Sequence, residues 1–227
     1  MTDSYDYVGV DLPGCIESTL LSHEASEVDI DELCTAAIWF RLAGVCVYPE
    51  YVGYAAELLK NSSTKVVTVV NFPGGDMPVD EVLVQIDTAI TQGADEIDYV
   101  MNLPAALSND WGSVAADIAL VSTKVHENDR VLKLILETCL LNDSQISKAC
   151  QLAVEYDVDY VKTSTGFSTG GATVSVVRLM RQVVGKNMGI KASGGIKTSE
   201  DALALIAAGA NRLGTSNALK VIGAIRE

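Results

Sequence analysis

Eight short runs rich in β-branched residues recur along the 227 residues, and a segment of helical periodicity follows each one. That alternation restricts the fold more than any other feature. The runs are "CIESTLL" (15–21), "GVCVYP" (44–49), "KVVTVVNFP" (65–73), "DEIDYVMN" (95–102), "RVLKLILET" (130–138), "VDYVKTS" (158–164), "MGIKASGG" (188–195) and "NRLGTS" (211–216), and they predict strands. In "DIDELCTAAIWFRLAG", Ile30, Leu33, Cys34, Ala37 and Ile38 follow the i, i+3, i+4, i+7, i+8 spacing of one buried helix face. Further helices are predicted at about 51–60, 79–92, 111–126, 143–156, 173–184, 199–208 and 216–226. Gly44, Gly93 and Gly209 stand just before strands, as left-handed helix ends require, and "TSED" at 198–201 offers a capping box.

Strands that alternate with helices pair in parallel through right-handed crossovers. Eight such units in so short a chain predict an α/β fold, a closed (β/α)₈ TIM barrel, as a single domain over residues 1–227. A doubly wound sheet is the alternative, but neither GxGxxG nor GxxxxGK[ST] occurs.

Sixteen basic residues against 30 acidic ones give a net charge of −14, which repels nucleic acid and anionic membranes. Neither is expected as a partner. "MTDSYDYVGVDLPG" has no basic start and no continuous apolar core, so no leader or membrane anchor is expected, and the cytoplasm is the expected location. The five cysteines, Cys15, Cys34, Cys46, Cys139 and Cys150, show no CxxC spacing and read as reduced, buried thiols. Two histidines are too few for the usual histidine-rich metal site, so no metal is expected; His126 reads as an exposed helix end. No GxSxG elbow is present, and Trp39 and Phe40 read as core.

In a barrel, reactive groups gather where strands end and βα loops begin. Lys162 stands at such an end in "DYVKTSTGF", and Lys191 in "GIKASGG" occupies the corresponding place on the next strand. Asp98, in "EIDYVMN", lies within a third apolar run. One lysine alone would snorkel to water; two beside an aspartate at inner strand ends need a use, since each buried charge costs several kcal/mol. Schiff-base chemistry supplies one. An amine attacks a carbonyl only when deprotonated, and a second ammonium ~6 Å away at an effective dielectric near 20 contributes ~2.8 kcal/mol of repulsion, about two pKa units. Lys162 is thus the expected nucleophile, Lys191 the cation that favours its free-amine form, and Asp98 the proton shuttle. The glycine-containing loops "STGG" (168–171), "SGG" (193–195) and "LGTSN" (213–217) follow the last three strands, where backbone amides commonly hold phosphate in this fold.

With "VCVYP" (45–49), "VNFPGG" (70–75), "GADEIDYVMN" (93–102), "LKLILET" (132–138), "VKTSTGF" (161–167), "KASGGIKT" (191–198) and "RLGTSN" (212–217), the chain resembles the 2-deoxyribose-5-phosphate aldolases, a class I aldolase family. The resemblance runs from about residue 16 to the C-terminus. It implies reversible cleavage of 2-deoxyribose 5-phosphate to acetaldehyde and glyceraldehyde 3-phosphate, with no cofactor and no metal, by a homodimer. It assigns Lys162 the Schiff base, Lys191 the second lysine and Asp98 the proton relay. Thr165, Cys46 and Thr19 fall against the substrate, and Gly171, Gly194, Gly195, Gly214, Ser216 and Asn217 fall at the phosphate. Glu17 stands where an aspartate is common and Asn217 where a second serine is frequent. The chain stops at Arg226 and Glu227, without the longer tail of some relatives.

Overall fold

A computed structural model describes residues 9–224 and closes eight parallel strands into one barrel, in sequence order. They are β1 (Ile16–Leu20), β2 (Gly44–Val47), β3 (Lys65–Val70), β4 (Glu96–Val100), β5 (Val131–Ile135), β6 (Tyr160–Lys162), β7 (Gly189–Ser193) and β8 (Arg212–Thr215). The barrel shuts between β1 and β8, with Ile16 opposite Leu213 and Ser18 opposite Thr215. Every predicted strand is present, and each is shorter than its β-branched run, because the last residues of the run leave the ladder to build the mouth. Asn71, for example, turns at φ 54, donates its side-chain amide to the Val100 carbonyl and accepts from the Met77 amide.

The helices are α1 (Glu27–Trp39), α2 (Val52–Leu59), α3 (Val79–Gln92), α4 (Leu103–Leu107), α5 (Trp111–His126), α6 (Asp143–Glu155), α7 (Val174–Val184), α8 (Ser199–Ala207) and α9 (Ala218–Val221). The short α4 is unpredicted; Asn102 caps it by accepting from the Ala105 amide, with proline in its first turn. The helix expected over 216–226 contracts to α9, and positions 225–227, like residues 1–8 of the N-terminal stretch, lie outside the described residues. Thr198 and Asp201 form the expected capping box. Gly93 and Gly209 are left-handed at φ 106 and 117. Gly44 is not a cap. It opens β2, where a Cβ would stand 2.8 Å from the Lys65 carbonyl oxygen.

Between barrel and helices lies the main core, built from outward-facing strand residues such as Ile97, Leu132, Leu134, Val161, Ile190 and Leu213 packed on Ile30, Ile86, Ile118 and Met180. Each such side chain contributes roughly 1.5–3 kcal/mol on burial. The buried face of α1 is narrower than its sequence suggests: Ile30, Cys34 and Ala37 face the core, whereas Ile38 is 44% and Trp39 79% exposed. Trp39 is therefore not core, although Phe40 packs against it. Of the free cysteines, Cys34, Cys46 and Cys150 are buried, Cys15 is half-buried, and Cys139 is exposed at the barrel mouth. His126 is not a free helix end either, since its Nε2 lies 2.9 Å from Asp159 Oδ2 and so ties α5 to the start of β6. Among the described residues no helix is long and apolar enough to cross a membrane.

Candidate active site

The inside of the barrel is divided. Cys46, Tyr48, Val67 and Val69 make a small apolar cluster beside β2 and β3, while the remaining strands bring charges together. Lys162 stands opposite Lys191 across β6 and β7, Asp98 opposite Lys133 across β4 and β5, and Lys191 opposite Arg212 across β7 and β8. The two-residue period of a strand puts Glu96 on the same face of β4 as Asp98. Seven ionisable side chains thus share one interior: Glu17, Glu96, Asp98, Lys133, Lys162, Lys191 and Arg212.

Asp98 is the upper hub. Lys162 Nζ donates to its Oδ2 at 2.6 Å, Lys191 Nζ to the same oxygen at 2.7 Å, and Lys133 Nζ to Oδ1 at 3.0 Å. Glu17 and Glu96 form a lower hub. Lys133 lies 2.5 Å from Glu96 and 3.3 Å from Glu17, Lys191 donates to Glu17, and Arg212 Nη1 lies 2.8 Å from Glu17 and 3.1 Å from Glu96. Because Lys162 and Lys191 share one oxygen, their nitrogens are closer than the ~6 Å that the repulsion calculation assumes.

Burial alone would raise the pKa of Asp98, yet Lys133, Lys162 and Lys191 hold its carboxyl well below the usual carboxylate range. Glu17 is lowered in the same way by Lys133 and Lys191 against its own desolvation. For Lys191, burial disfavours the ammonium, but Asp98 and Glu17 outweigh it and push the pKa up. Lys133 and Arg212 are pushed up likewise by the carboxylates around them. Burial takes the Cys46 thiol to about 11, so it is neutral. Four cations then face three carboxylates. The cluster holds one positive charge more than its carboxylates balance, in a low-dielectric interior where uncompensated charge is costly.

A cavity of about 240 Å³ opens above Lys162. Thr19, Thr165, Gly194, Gly195, Gly214, Ser216 and Asn217, all expected at the ligand, line it. Lys191 and Asp98 are not in its lining; Asp98 accepts from Lys162, and Lys191 donates to the same Asp98 oxygen. Two expected residues lie elsewhere. Cys46 is sealed in the apolar cluster. Gly171 backs the wall: a Cβ there would stand 2.3 Å from the Gly194 carbonyl oxygen, so glycine is what lets the loop after β6 lie on the loop after β7. Gly194 and Gly195 both take positive φ, at 84 and 80.

Sequence reasoning missed Lys133, Glu96 and Arg212, and also Lys197 and Phe167 in the cavity wall. Inward parity could have found Glu96, two residues before Asp98, and Lys133, a lysine within an apolar run as Lys162 is. Glu137 is a further omission. Buried and left-handed at φ 49, it accepts from the Thr165 amide at 3.1 Å and from the Thr165 hydroxyl, which in turn accepts from the Phe167 amide. Phe167 then meets Phe72 edge to face at 5.3 Å. One side of the cavity wall is therefore hung on a carboxylate at the end of β5. Among the described residues no group of three His, Cys, Asp or Glu side chains is placed to hold a metal ion.

A family model described as DeoC/LacD family aldolase matches residues 8–225. The chain is similar to a deoxyribose-phosphate aldolase of Thermococcus gammatolerans, 46% identical over 96% of this chain and 98% of that protein. It is also similar to one of Streptococcus uberis, 47% identical over 91% of this chain and 93% of that protein. Among solved structures, the deoxyribose phosphate aldolase of Aeropyrum pernix, described as a unique tetrameric structure, superposes with a TM-score of 0.88 at 32% identity, covering 94% of this chain and 90% of that one.

Proposed function

The chain belongs to the DeoC/LacD family of aldolases, and from that premise we propose that it cleaves 2-deoxy-D-ribose 5-phosphate reversibly to acetaldehyde and D-glyceraldehyde 3-phosphate through a Schiff base on Lys162. One observation carries the assignment: of the four clustered cations, Lys162 is the one whose side chain also lines the cavity. The free amine adds to the C1 carbonyl of the open-chain sugar, and the carbinolamine loses water to give the iminium. A base takes the proton of the C3 hydroxyl, the C2–C3 bond breaks, and its electron pair moves into the iminium to form an enamine as glyceraldehyde 3-phosphate leaves. Protonation at C2 and addition of water then release acetaldehyde and restore the amine.

Asp98 moves protons in these steps, through water where it cannot reach. While three ammoniums bind it, it is a poor base; it becomes a better one at the carbinolamine and enamine stages, when the nitrogen of Lys162 is neutral. Lys191 stays charged and holds Asp98 in place. The phosphate is assigned to the far end of the cavity, at Gly194, Gly195, Gly214, Ser216 and Asn217, with Lys197 as the neighbouring cation. Two or more charge-assisted hydrogen bonds there are worth about 1.5–3 kcal/mol each. Steady-state cleavage of the phosphorylated and unphosphorylated sugars tests the assignment. The unphosphorylated sugar is expected to lose roughly 10²-fold or more in kcat/KM; equal values would remove the phosphate site. A barrel that only binds sugar phosphates as a regulator would bind the phosphate ester with no borohydride-trapped adduct at Lys162 and no loss of binding in Lys162→Leu, and an aldolase for another sugar phosphate would trap a different aldehyde best.

A homodimer in the cytoplasm is part of the same proposal, supported by the family resemblance. Light scattering is expected to return twice the chain mass; four times that mass would match the arrangement described for the Aeropyrum pernix relative instead.

A further inference from the structure

We infer that Arg212, at the bottom of the barrel, governs whether Lys162 carries its proton, by fixing the charge of the cluster as a whole. The inference rests on Lys162 being the Schiff-base amine. Arg212 makes no contact with Lys162. It meets Glu17 at 2.8 Å, Glu96 at 3.1 Å and the Tyr160 hydroxyl at 3.4 Å, and its guanidinium lies 5.4 Å from the centre of the Tyr160 ring. Both carboxylates it holds are also held by Lys133, which donates to Asp98, which accepts from Lys162. A continuous column of ion pairs thus connects the bottom of the barrel to the cavity.

Every element around that column contributes a group. β1 brings Glu17, β4 Glu96 and Asp98, β5 Lys133, β6 Tyr160 and Lys162, β7 Lys191 and β8 Arg212. Cys46 on β2 is a neutral thiol, and below Arg212 the Cys15 thiol, raised by burial and by Asp11, is neutral too. A guanidinium does not deprotonate in proteins, so the charge of Arg212 is permanent. With Lys133 and Lys191 it balances the three carboxylates, and the remaining cation is the surplus one. That cation is Lys162, because its one acidic partner, an Asp98 oxygen, is shared with Lys191 and because it alone of the four opens on the cavity, where its proton can leave. Without Arg212 the three carboxylates would need all three lysines charged, and Lys162 would keep its proton. Arg212 is therefore a positioning residue that acts through charge and touches no substrate.

Imine formation on Lys162 reads this directly: acetaldehyde with cyanoborohydride, followed by peptide mass spectrometry, from about pH 5 to about pH 10. Arg212→Met is expected to move the trapping profile alkaline by about one pH unit. Glu17→Gln, which removes an anion, is expected to move it acid, the double variant to return it close to the wild-type position, and Arg212→Lys, which keeps the charge, to leave it in place. An unmoved Arg212→Met profile would overturn the inference. So would a double variant that stays with Arg212→Met, because lost packing would then explain the effect. If circular dichroism shows Arg212→Met unfolded, Glu17→Gln decides, and a profile that does not move acid overturns the inference. Failure of the wild-type protein to form any adduct at Lys162 would instead defeat the Schiff-base assignment beneath it.

Discussion

Replacing Lys162 by leucine is expected to abolish aldol turnover while leaving the barrel folded. The amine is the atom that bonds to the substrate, so its removal takes away the path itself, a loss of at least roughly 10⁴-fold. Stability is expected to change little, for two reasons visible in the cluster. Leucine fills much of the volume that the lysine stem occupies, so no large cavity opens. Asp98 also keeps Lys191 and Lys133 as donors, at 2.7 and 3.0 Å, so its carboxylate is not left unpaired. The charge count even improves, because three cations then face three carboxylates. Steady-state cleavage, borohydride trapping and urea unfolding check the three parts of this expectation together. A variant with turnover within about tenfold of wild type would show that another amine forms the imine.

That count also explains which parts of the site the sequence makes legible. Lys162, Lys191 and Asp98 stand out because a charge within an apolar run demands a reason. Lys133 sits in "RVLKLILET", an equally apolar run, yet one lysine there reads as a snorkelling side chain until closure of the barrel fixes which residues point inward. Glu96 and Arg212 lie at strand starts, where a charge looks solvated; Glu96 shares the parity of Asp98, whereas Arg212 is turned into the interior only by the register of β7 and β8. The eight strands are legible for the opposite reason: each is buried on both faces of a parallel barrel and so reads as a continuous β-branched run. Their ends are not, since the residues that build the mouth are as β-branched as the ladder itself. Trp39 misleads because an apolar helix stripe fixes a direction only to within a wide arc, and Trp39, two residues and about 200° past the buried Ala37, falls outside it. Gly171 has the composition of a phosphate loop, but its role is close approach to Gly194, a contact between two loops that no local pattern encodes.

Asp98→Asn separates the two duties of the upper hub, because it is expected to change imine formation and turnover in opposite directions. Without the carboxylate, four cations face two anions, and the ammonium of Lys162 loses a partner at 2.6 Å. The charged form is then less favoured, so imine trapping moves to lower pH, by about two units or more for a charge so close. Trapping at neutral pH therefore rises. Turnover nevertheless falls, by roughly 10²–10⁴-fold, because the amide can neither take nor return the protons that carbon–carbon cleavage and the enamine step require once the iminium has formed. The variant is also less stable: an amide has one acceptor where Asp98 binds three ammoniums with two oxygens, and its NH₂ group must face a lysine. Unbalancing a buried ion pair in this way costs about 3–5 kcal/mol, to be read as a lower urea midpoint. If trapping and turnover fell together across the whole pH range, Asp98 would be only a support for Lys162, and the protons would have to travel by another group.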